Sequence, residues 1–474
     1  MKTAAKALLA ALFAVCIYRA ITQSVVFDEA LTWELYIAGP VDKIFHTFDA
    51  NHHFLNTVLM RMVTAIFGVS AFTLRIPALA GAALYFAAVY RLSLVAFGES
   101  VRFLIAVAAL TLNPFVLDFM VAARGYGMAL ALWMWALAVL LPVFQGRPPT
   151  RKNLIAAGSA IALSVTANLV FLLPATVLAG MGLVYLLKQQ PAPEPAKKTK
   201  RREQKTGRPD WIWFAGPIAA VAALFFLIAP VEDMKLDQFY TGVPTILESL
   251  RSLASVSVEH SGPLARAGWS DGWRDSVAFV VGPLIIVGGL VFGLLRRDWL
   301  LMVASGTAIA SALGLILIHL ALGRPYPADR TGLYFLPLVT LALMGLTASR
   351  EKFVSIAAFA ISVVMIGQYL TEFNVKKFWV WDYDADTRSM GEYLAAHRNG
   401  QKVSVGGSWQ LSESLGFYLF QNHWDWLEIN RRPPQPGDDY YALIPQDAST
   451  VQTLGLREVF RGPVSGSVLA APAK

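Results

Sequence analysis

The chain has 474 residues, of which 56% are hydrophobic and 15% are charged, and its formal net charge is +8. Soluble proteins carry about 25% charged residues, so this composition excludes a single soluble domain. A single cysteine, Cys16, excludes both an internal disulfide framework and a cysteine-rich zinc site.

Eleven apolar stretches are long enough to be transmembrane helices, each of which needs roughly 20 residues. The first stretch follows Lys2 and Lys6, and we expect an uncleaved span because no small-residue cleavage site follows it. The predicted fold is therefore an all-α polytopic membrane protein with about eleven transmembrane helices. The predicted spans lie near residues 7–26, 75–96, 102–119, 122–144, 153–169, 170–187, 211–230, 277–295, 299–321, 332–348 and 353–370.

The basic residues of the short loops predict the orientation of these spans. If the N-terminus is cytoplasmic, every short basic loop falls on the cytoplasmic side, as the positive-inside rule requires. The most basic loop, residues 188–210, is rich in proline and lysine and is interpreted as a solvated cytoplasmic linker. Because the positive charge collects in these loops, we expect a lipid bilayer and no nucleic acid as a partner.

The loop at residues 27–74 falls on the opposite, extracytoplasmic side and is too long for a simple connection. It contains two amphipathic stretches, EALTWELYIAG and HHFLNTVLMRMVTAIFG. Such stretches are typical of helices that lie in the plane of the membrane interface. Residues 1–370, with this loop, are predicted to form one transmembrane domain.

The last hundred residues differ in character, because apolar runs shorten and turn residues increase. DADTRSMGEYLAAHRNG is a predicted helix with Asp384, Asp386 or Thr387 as its N-cap, and LSESLGFYLFQ is another. KVSVGG and YYALIP are predicted strands. Residues 371–474 are therefore predicted to form a small α/β domain outside the membrane, on the extracytoplasmic side with the C-terminus.

Asp28 and Glu29, in the sequence FDEALTWELY, form an acidic pair beside the first apolar stretch. Carboxylates near a bilayer are costly to desolvate, so they require a reason to be there. Adjacent residues of a helix point about 100° apart, so the two carboxylates cannot easily share one task. Acidic residues in a first helical turn are ordinarily helix-dipole partners. In this membrane context we favour Asp28 for catalysis, with Glu29 as its helper or as the cap of the helix.

Other outer loops supply candidate substrate contacts. His52 and His53 stand at the start of the second amphipathic stretch, and adjacent histidines lack the i, i+4 spacing of helical metal ligands. Arginine presents a fork that suits phosphate oxygens, so two arginine-bearing outer turns predict a phosphate clamp. The alternative is snorkelling of arginine and tyrosine at the interface. The candidates in these turns are Asp118, Arg124, Tyr126, Arg324, Tyr326, Arg330 and Tyr334.

Residues 26–85 resemble a known family. FDE after the first span is followed by NHHFLNTVLMRMVTAIFGVSAFTLRIPALAGAAL, and this pattern resembles the first part of bacterial family 39 glycosyltransferases. That family includes the protein O-mannosyltransferases and the lipid A aminoarabinose transferase, although many members have a Pro-Pro-containing start where NHHFLN stands here. The resemblance implies the GT-C membrane fold and a sugar donor linked through phosphate to a polyprenol. It also implies a catalytic acidic residue in the first outer loop, here Asp28 with Glu29 second.

The residues and the resemblance together predict a membrane glycosyltransferase whose catalytic domain is residues 1–370. It would move a sugar from a polyprenyl-phosphate donor to a hydroxyl of an envelope glycan, lipid or protein, at the outer face of the bacterial cytoplasmic (inner) membrane. A polymerase or ligase that uses similar donors, a transporter or flippase, and a membrane-anchored assembly or sensor protein stay open as alternatives. No metal site and no certain cofactor are predicted, and assistance by a divalent cation, Mg or Mn, stays open.

Overall fold

The computed structural model describes residues 1–189, 209–238, 241–258, 270–398 and 400–473, and most of the predicted linker at 188–210 lies outside these ranges. The described residues include eight helices long and apolar enough to cross a membrane, so the chain is a multi-span membrane protein. These helices are Lys2–Thr22, Ala71–Phe97, Gly125–Phe144, Leu169–Lys188, Asp210–Ile228, Gly272–Arg296, Trp299–Leu322 and Lys352–Glu372.

A helix coincides with each of the eleven predicted spans, but three of the helices are short. Val101–Thr111 has 11 residues, Phe335–Leu346 has 12 and Arg151–Ala167 has 17. A helix rises 1.5 Å per residue, so the first two cover well under the 30 Å thickness of a typical bilayer core. The all-α membrane architecture is confirmed, and eight of the predicted spans have full membrane length.

The predicted span 102–119 is broken into two helices, Val101–Thr111 and Pro114–Phe119. Proline lacks an amide hydrogen and disfavours helical geometry at the residue before it. Asn113 occupies that position, and its Oδ1 atom accepts a hydrogen bond of 3.1 Å from the Val116 amide, which caps the second helix. Hydropathy alone does not show the break, because both pieces are apolar.

Gly125–Phe144 is the central helix of the bundle, and 83% of the residues in its most apolar stretch are buried. Helix Ala71–Phe97 approaches it closely at Gly81, where an added Cβ atom would lie 3.0 Å from the Cα of Met128. Small residues allow such approaches between membrane helices. In helix Asp210–Ile228, in contrast, only 6% of the residues in the most apolar stretch are buried, so this helix lies at the periphery of the bundle.

The loop at residues 27–74, which we call the first outer loop after its predicted side, is helical where the two amphipathic stretches were predicted. Phe27–Thr32, which we call the site helix, continues into a single π-helical turn at Trp33–Ile37, and Phe54–Phe67 forms the second predicted helix. Further short helical segments are Lys43–His46, Val231–Asp233, Leu236–Gln238, Ile246–Val258 and Asp329–Gly332. Leu169–Phe171, Ser270–Ser276 and Val277–Val281 form the beginnings of two of the membrane helices.

The chain after Glu372 forms a small α/β unit, which we call the C-terminal unit. Its strands are β1 Val403–Gly407, β2 Leu427–Ile429, β3 Tyr440–Leu443, β4 Leu456–Arg461 and β5 Val468–Pro472. They have the order β2-β1-β3-β5-β4, where β1 pairs in parallel with β2 and β3, and β5 pairs antiparallel with β3 and β4. The two predicted helices and two predicted strands are confirmed. The helical segments are Asp382–Asp384, Thr387–His397, Trp409–Gln421, Pro445–Asp447 and Ser449–Thr453.

The C-terminal unit packs directly on the first outer loop. Phe417 and Tyr418 belong to the same buried apolar cluster as Trp33 and Met60. The ring of Trp33 lies edge-on to Phe417 with 5.3 Å between the centroids. The loop that carries the acidic pair is therefore held between the membrane helices and the C-terminal unit.

Candidate functional site

The site helix presents its acidic residues because of where it begins. Val26 is the N-cap, and the Oε2 atom of Glu29, three residues later, accepts a hydrogen bond of 3.1 Å from the Val26 amide. This is the carboxylate half of a capping box, which satisfies one amide that the helix leaves unpaired. Asp28 is one step round the helix and points elsewhere. The divergence expected of adjacent helical residues is observed.

Asp28 lies between two arginines. It is buried, and its Oδ2 atom is 3.4 Å from an Nη2 atom of Arg330 and 3.7 Å from Nη2 of Arg124. Charge-assisted hydrogen bonds are shorter, about 2.7–2.9 Å. Within the described ranges this Oδ2 atom accepts no hydrogen bond. Asp28 is therefore a buried carboxylate held by two nearby positive charges but not locked by either of them.

Arg124 is fixed to the backbone of the first outer loop. Its Nη1 atom donates to the carbonyl of Asp28 at 3.3 Å and to the Thr32 hydroxyl at 3.1 Å. The side-chain Nδ2 atom of Asn51 donates to the same two oxygens, at 3.2 and 2.9 Å. The Nε atom of Arg124 is buried and has no hydrogen-bond partner among the described residues. Arg124 thus combines a fixed position with an unused donor.

Arg330 is the more accessible of the two arginines, with 22% of its side chain exposed. Its guanidinium lies 5.5 Å from the ring centre of Trp381, a cation–π contact. Burial lowers the pKa of Arg330, but the Asp28 carboxylate and the Tyr126 hydroxyl outweigh this and raise the pKa above its usual value. Arg330 therefore keeps its positive charge in a largely buried place.

Glu29 is engaged on both oxygens. Arg75 donates to it twice, from Nε to Oε1 at 2.9 Å and from Nη2 to Oε2 at 2.6 Å. The Ala123 amide donates to Oε1 at 2.6 Å. Arg75 and Glu29 are both fully buried. A completely paired carboxylate fits a structural role, and the bond from the Val26 amide makes Glu29 the cap of the site helix.

Asp118 joins three separate parts of the chain. Its Oδ1 atom accepts a bond of 2.6 Å from Arg19 in the first membrane helix. Its Oδ2 atom accepts a bond of 2.7 Å from the amide of Trp379, which follows the last membrane helix. Asp118 is buried. These bonds use both oxygens of the carboxylate, which therefore ties the first membrane helix to the chain that follows the last one.

His52 and His53 lie in the first outer loop beside a small cavity. The His52 ring stacks on Tyr36 with 4.2 Å between centroids, and His53 lies edge-on to Tyr126 at 5.1 Å. Burial lowers the pKa of His52 to about 4 and the pKa of His53 well below its usual value, so both are neutral at physiological pH. Among the described residues, both nitrogens of His52, Nε2 of His53 and Nδ2 of Asn168 have no hydrogen-bond partner, and all three residues line the cavity.

The remaining predicted contacts lie elsewhere. Tyr326 stacks on His319 with 4.4 Å between centroids and lines an apolar groove between membrane helices. Tyr334 is buried in the bundle core, edge-on to Phe171. The Nε atom of Arg324 donates to a backbone carbonyl two residues before it. The structure thus unites Asp28, Arg124, Tyr126 and Arg330, and it gives these three other residues different surroundings.

Within the described ranges, no group of three or more histidine, cysteine, aspartate or glutamate side chains is placed to hold a metal ion. The positive charge of the site is supplied by the guanidinium groups of Arg124 and Arg330.

No protein-family model and no curated protein matches the sequence. Solved structures similar to this chain include ArnT from Cupriavidus metallidurans in the apo state, with 13% identity, 98% of this chain and 97% of that chain covered, and a TM-score of 0.42. They also include the archaeal oligosaccharyltransferase AglB from Archaeoglobus fulgidus in complex with an inhibitory peptide and a dolichol-phosphate, with 12% identity, coverage of 99% and 74%, and a TM-score of 0.43. A third is the arabinofuranosyltransferase AftD from Mycobacteria, with 16% identity, coverage of 99% and 40%, and a TM-score of 0.41.

Sequence reasoning missed several residues that complete this arrangement. Arg75 carried a usable signal, because a charged residue at the start of an apolar span needs a buried partner. Trp381 and Tyr383 follow the last span in the sequence WDYD, and Tyr383 interacts electrostatically with both Asp28 and Arg330. Their nearness to Asp28 depends on how the C-terminal unit docks, which no local pattern predicts.

Proposed function

We propose that this protein is a membrane glycosyltransferase of the GT-C type, which moves a sugar from a polyprenyl-phosphate donor to an acceptor hydroxyl. One observation carries the proposal: the Oδ2 atom of Asp28 lies 3.4 and 3.7 Å from two arginine guanidinium groups without a hydrogen bond from the described residues. A buried base beside two phosphate-binding groups is what a sugar transfer from a phosphate donor requires.

The proposed reaction is a single displacement at the anomeric carbon of the donor sugar. The acceptor oxygen forms a bond to that carbon while the bond from the carbon to the phosphate oxygen breaks. Asp28 orients the acceptor hydroxyl and takes its proton. Polyprenyl phosphate leaves with the bonding electrons, and Arg330 and Arg124 stabilise the negative charge that develops on it. Tyr126, which interacts with Arg330, would help to hold that guanidinium in place.

An apolar groove supports the lipid nature of the donor. The groove has a volume of about 360 Å³ and is lined almost wholly by apolar atoms of helices Ile246–Val258, Gly282–Arg296, Trp299–Leu322 and Phe335–Leu346. A cavity of this size and composition suits a hydrocarbon chain. A polyprenyl chain in the groove would lie between membrane helices, with its phosphate at the outer end.

Hydrogen bonds link the groove to the turn Asp329–Gly332, which carries Arg330 and which we call the arginine turn. The Ser249 hydroxyl, in the helix that walls the groove, donates to the Pro327 carbonyl at 2.5 Å. The Ser252 hydroxyl accepts from the Asp329 amide at 2.8 Å and donates to its carboxylate at 2.7 Å. Asp329 has a left-handed backbone with φ of 45°, which aspartate tolerates better than most residues. The turn that presents Arg330 is thereby fastened to the groove wall.

The proposed setting is a bacterial cytoplasmic (inner) membrane, with the N-terminus in the cytoplasm and residues 371–474 outside as a separate domain. The positive charge of the short loops supports this orientation. Residues 1–370 would form the catalytic domain, with the basic linker at 188–210 on the cytoplasmic side. The acceptor would be a hydroxyl of an envelope glycan, lipid or protein.

A transfer assay with the purified full-length chain tests this function. Polyprenyl-phosphate sugars with a labelled sugar are reconstituted with the chain and envelope extracts, and the label in the acceptor fraction and the released polyprenyl phosphate are both measured. The proposal predicts equal amounts of the two products. It also predicts that Arg330→Ala weakens binding of undecaprenyl phosphate about tenfold, while Arg388→Ala, which removes an exposed ion pair with Glu392, does not. Movement of the labelled lipid across the bilayer without cleavage would instead indicate a flippase.

A further inference from the structure

The segment at residues 381–385, which follows the last membrane helix, contacts both halves of the candidate site. Trp381 lies against the guanidinium of Arg330. Asp384 reaches the beginning of the site helix, where its Oδ2 atom accepts a hydrogen bond of 2.7 Å from the Phe27 amide. One short segment therefore touches both the arginine turn and the helix that carries Asp28.

Asp384 acts as a helix cap from a distant part of the chain. The first amides of a helix have no partner within it, and Phe27 is the first residue of the site helix. Asp384 is fully buried, and its Oδ1 atom accepts a second bond of 3.0 Å from the Thr387 hydroxyl. Its position is thus fixed within the C-terminal unit, and it transmits that position to the site helix.

Further hydrogen bonds connect the same two regions. The Val25 amide donates to the Tyr418 hydroxyl at 2.9 Å, and the Ser24 hydroxyl donates to the Ala385 carbonyl at 2.9 Å. The residues that lead into the site helix are therefore held by the C-terminal unit at three points. A helix of six residues has little stability of its own, so contacts of this kind decide its direction.

We propose that Asp384 is a positioning residue, which caps the site helix and sets the direction in which Asp28 points between Arg124 and Arg330. Its importance for catalysis rests on the proposed function, whereas its hold on the site helix does not. The C-terminal unit is then part of the catalytic machinery, because it fixes the geometry of the first outer loop.

Two substitutions separate the cap from the charge of Asp384. Asp384→Asn keeps an oxygen for the Phe27 amide, and its new amide group donates to the Thr387 hydroxyl. Asp384→Ala removes the cap altogether. Asp386→Ala is the matched control, because buried Asp386 accepts bonds from the amides of Val464 and Ser465, both inside the C-terminal unit.

Hydrogen exchange of the full-length chain in lipid nanodiscs measures the hold on the site helix. In Asp384→Ala we expect the amides of residues 25–37 to exchange about fivefold faster, as the loss of a helix cap implies. Asp384→Asn and Asp386→Ala should leave exchange in this segment as in the wild type. Unchanged exchange in Asp384→Ala, or equal acceleration in Asp386→Ala, would overturn the proposal.

The consequence for the reaction is measured separately. A displaced catalytic group costs rate, so Asp384→Ala should lower kcat about tenfold or more, with Asp384→Asn near the wild type. The KM for the polyprenyl-phosphate sugar should change by less than about threefold, because the arginines are not removed. Faster exchange with an unchanged kcat would contradict the positioning role. If the wild-type chain transfers no sugar, the proposed function fails, and the exchange experiment still decides whether Asp384 holds the site helix.

Discussion

Asp28 and Glu29 are neighbours of the same chemical type, and their surroundings separate them. Glu29 receives two hydrogen bonds from Arg75 and further bonds from backbone amides, so its charge is fully compensated. Asp28 has two arginines 3.4 and 3.7 Å from one oxygen, and that oxygen accepts no hydrogen bond from the described residues. The first arrangement stabilises the loop, and the second leaves a carboxylate available to a substrate.

This difference predicts that two conservative substitutions change stability by different amounts. Glu29→Gln leaves the buried Arg75 charge uncompensated and should destabilise the fold by about 3–5 kcal/mol. Asp28→Asn removes only the charge contacts of 3.4 and 3.7 Å, and Arg124 keeps its bonds to the backbone carbonyl at this position and to the Thr32 hydroxyl. This variant should therefore lose less stability, about 1 kcal/mol. Thermal unfolding of both variants in detergent measures the difference. Equal stability of Glu29→Gln and the wild type would contradict the structural role of Glu29.

The sequence predicts part of this arrangement and misses the rest for a physical reason. Helical geometry alone predicts that the side chains of Asp28 and Glu29 diverge, and arginine chemistry draws attention to Arg124 and Arg330. The partner of Glu29 and the support of Arg330 by Trp381 depend on contacts between distant segments. Such contacts follow from the packing of whole elements, and single-residue patterns do not encode them.

Different elements around the site would bind the headgroup and the hydrocarbon chain of the proposed donor. The turn at Asp329–Gly332 presents Arg330, and the helix Ile246–Val258 both fastens this turn and walls the apolar groove. A polar headgroup and a hydrocarbon chain would thus be bound by connected elements. Long apolar stretches predict the membrane helices well, but neither the break at Asn113 nor the groove follows from hydropathy, which records composition and not packing.

Filling the groove tests the binding of the lipid chain. Ala312 lines the groove, whereas Ala310 in the same helix is outside its lining. Ala312→Trp should weaken the binding of undecaprenyl phosphate about tenfold, because apolar contact area for the chain is lost. Ala310→Trp is the control and should bind it as the wild type does. Binding to both variants in nanodiscs provides the measurement, and equal affinities would show that the chain lies elsewhere.

At the scale of the whole molecule, the C-terminal unit and the first outer loop form one assembly. Arg431 bonds at 2.8 Å both to Glu34 in the first outer loop and to Glu413 in the C-terminal unit. The general α/β character of this unit follows from the sequence, because its helices and two strands have clear patterns. Strands β2 and β4 are short or largely exposed, so they lack the apolar alternation that reveals a strand.

This junction predicts a pH dependence of stability. Burial and the neighbouring Glu34 carboxylate raise the pKa of Glu413 from 4.5 to about 7, against the effect of Arg431. The folded protein therefore holds a proton that the unfolded chain releases, and this contribution to stability is lost as pH rises from 4.5 towards 7.

Glu413→Gln removes this titration and keeps the ion pair of Glu34 with Arg431. Lys43 is the other positive charge that acts on Glu34. The midpoint temperature of thermal unfolding should then fall less between about pH 4.5 and pH 7 in Glu413→Gln than in the wild type. Parallel pH profiles of the two proteins would contradict the assignment.

The most direct test of the central claim is the transfer rate of Asp28→Asn in the full-length chain. A general base contributes about 10²–10⁴-fold to a rate, so kcat for transfer from a polyprenyl-phosphate sugar should fall by at least about 100-fold. Membrane insertion, thermal stability and binding of undecaprenyl phosphate, all measured on the same preparation, should stay close to the wild type. A folded Asp28→Asn protein that transfers the sugar at a near wild-type rate would contradict the catalytic role of Asp28.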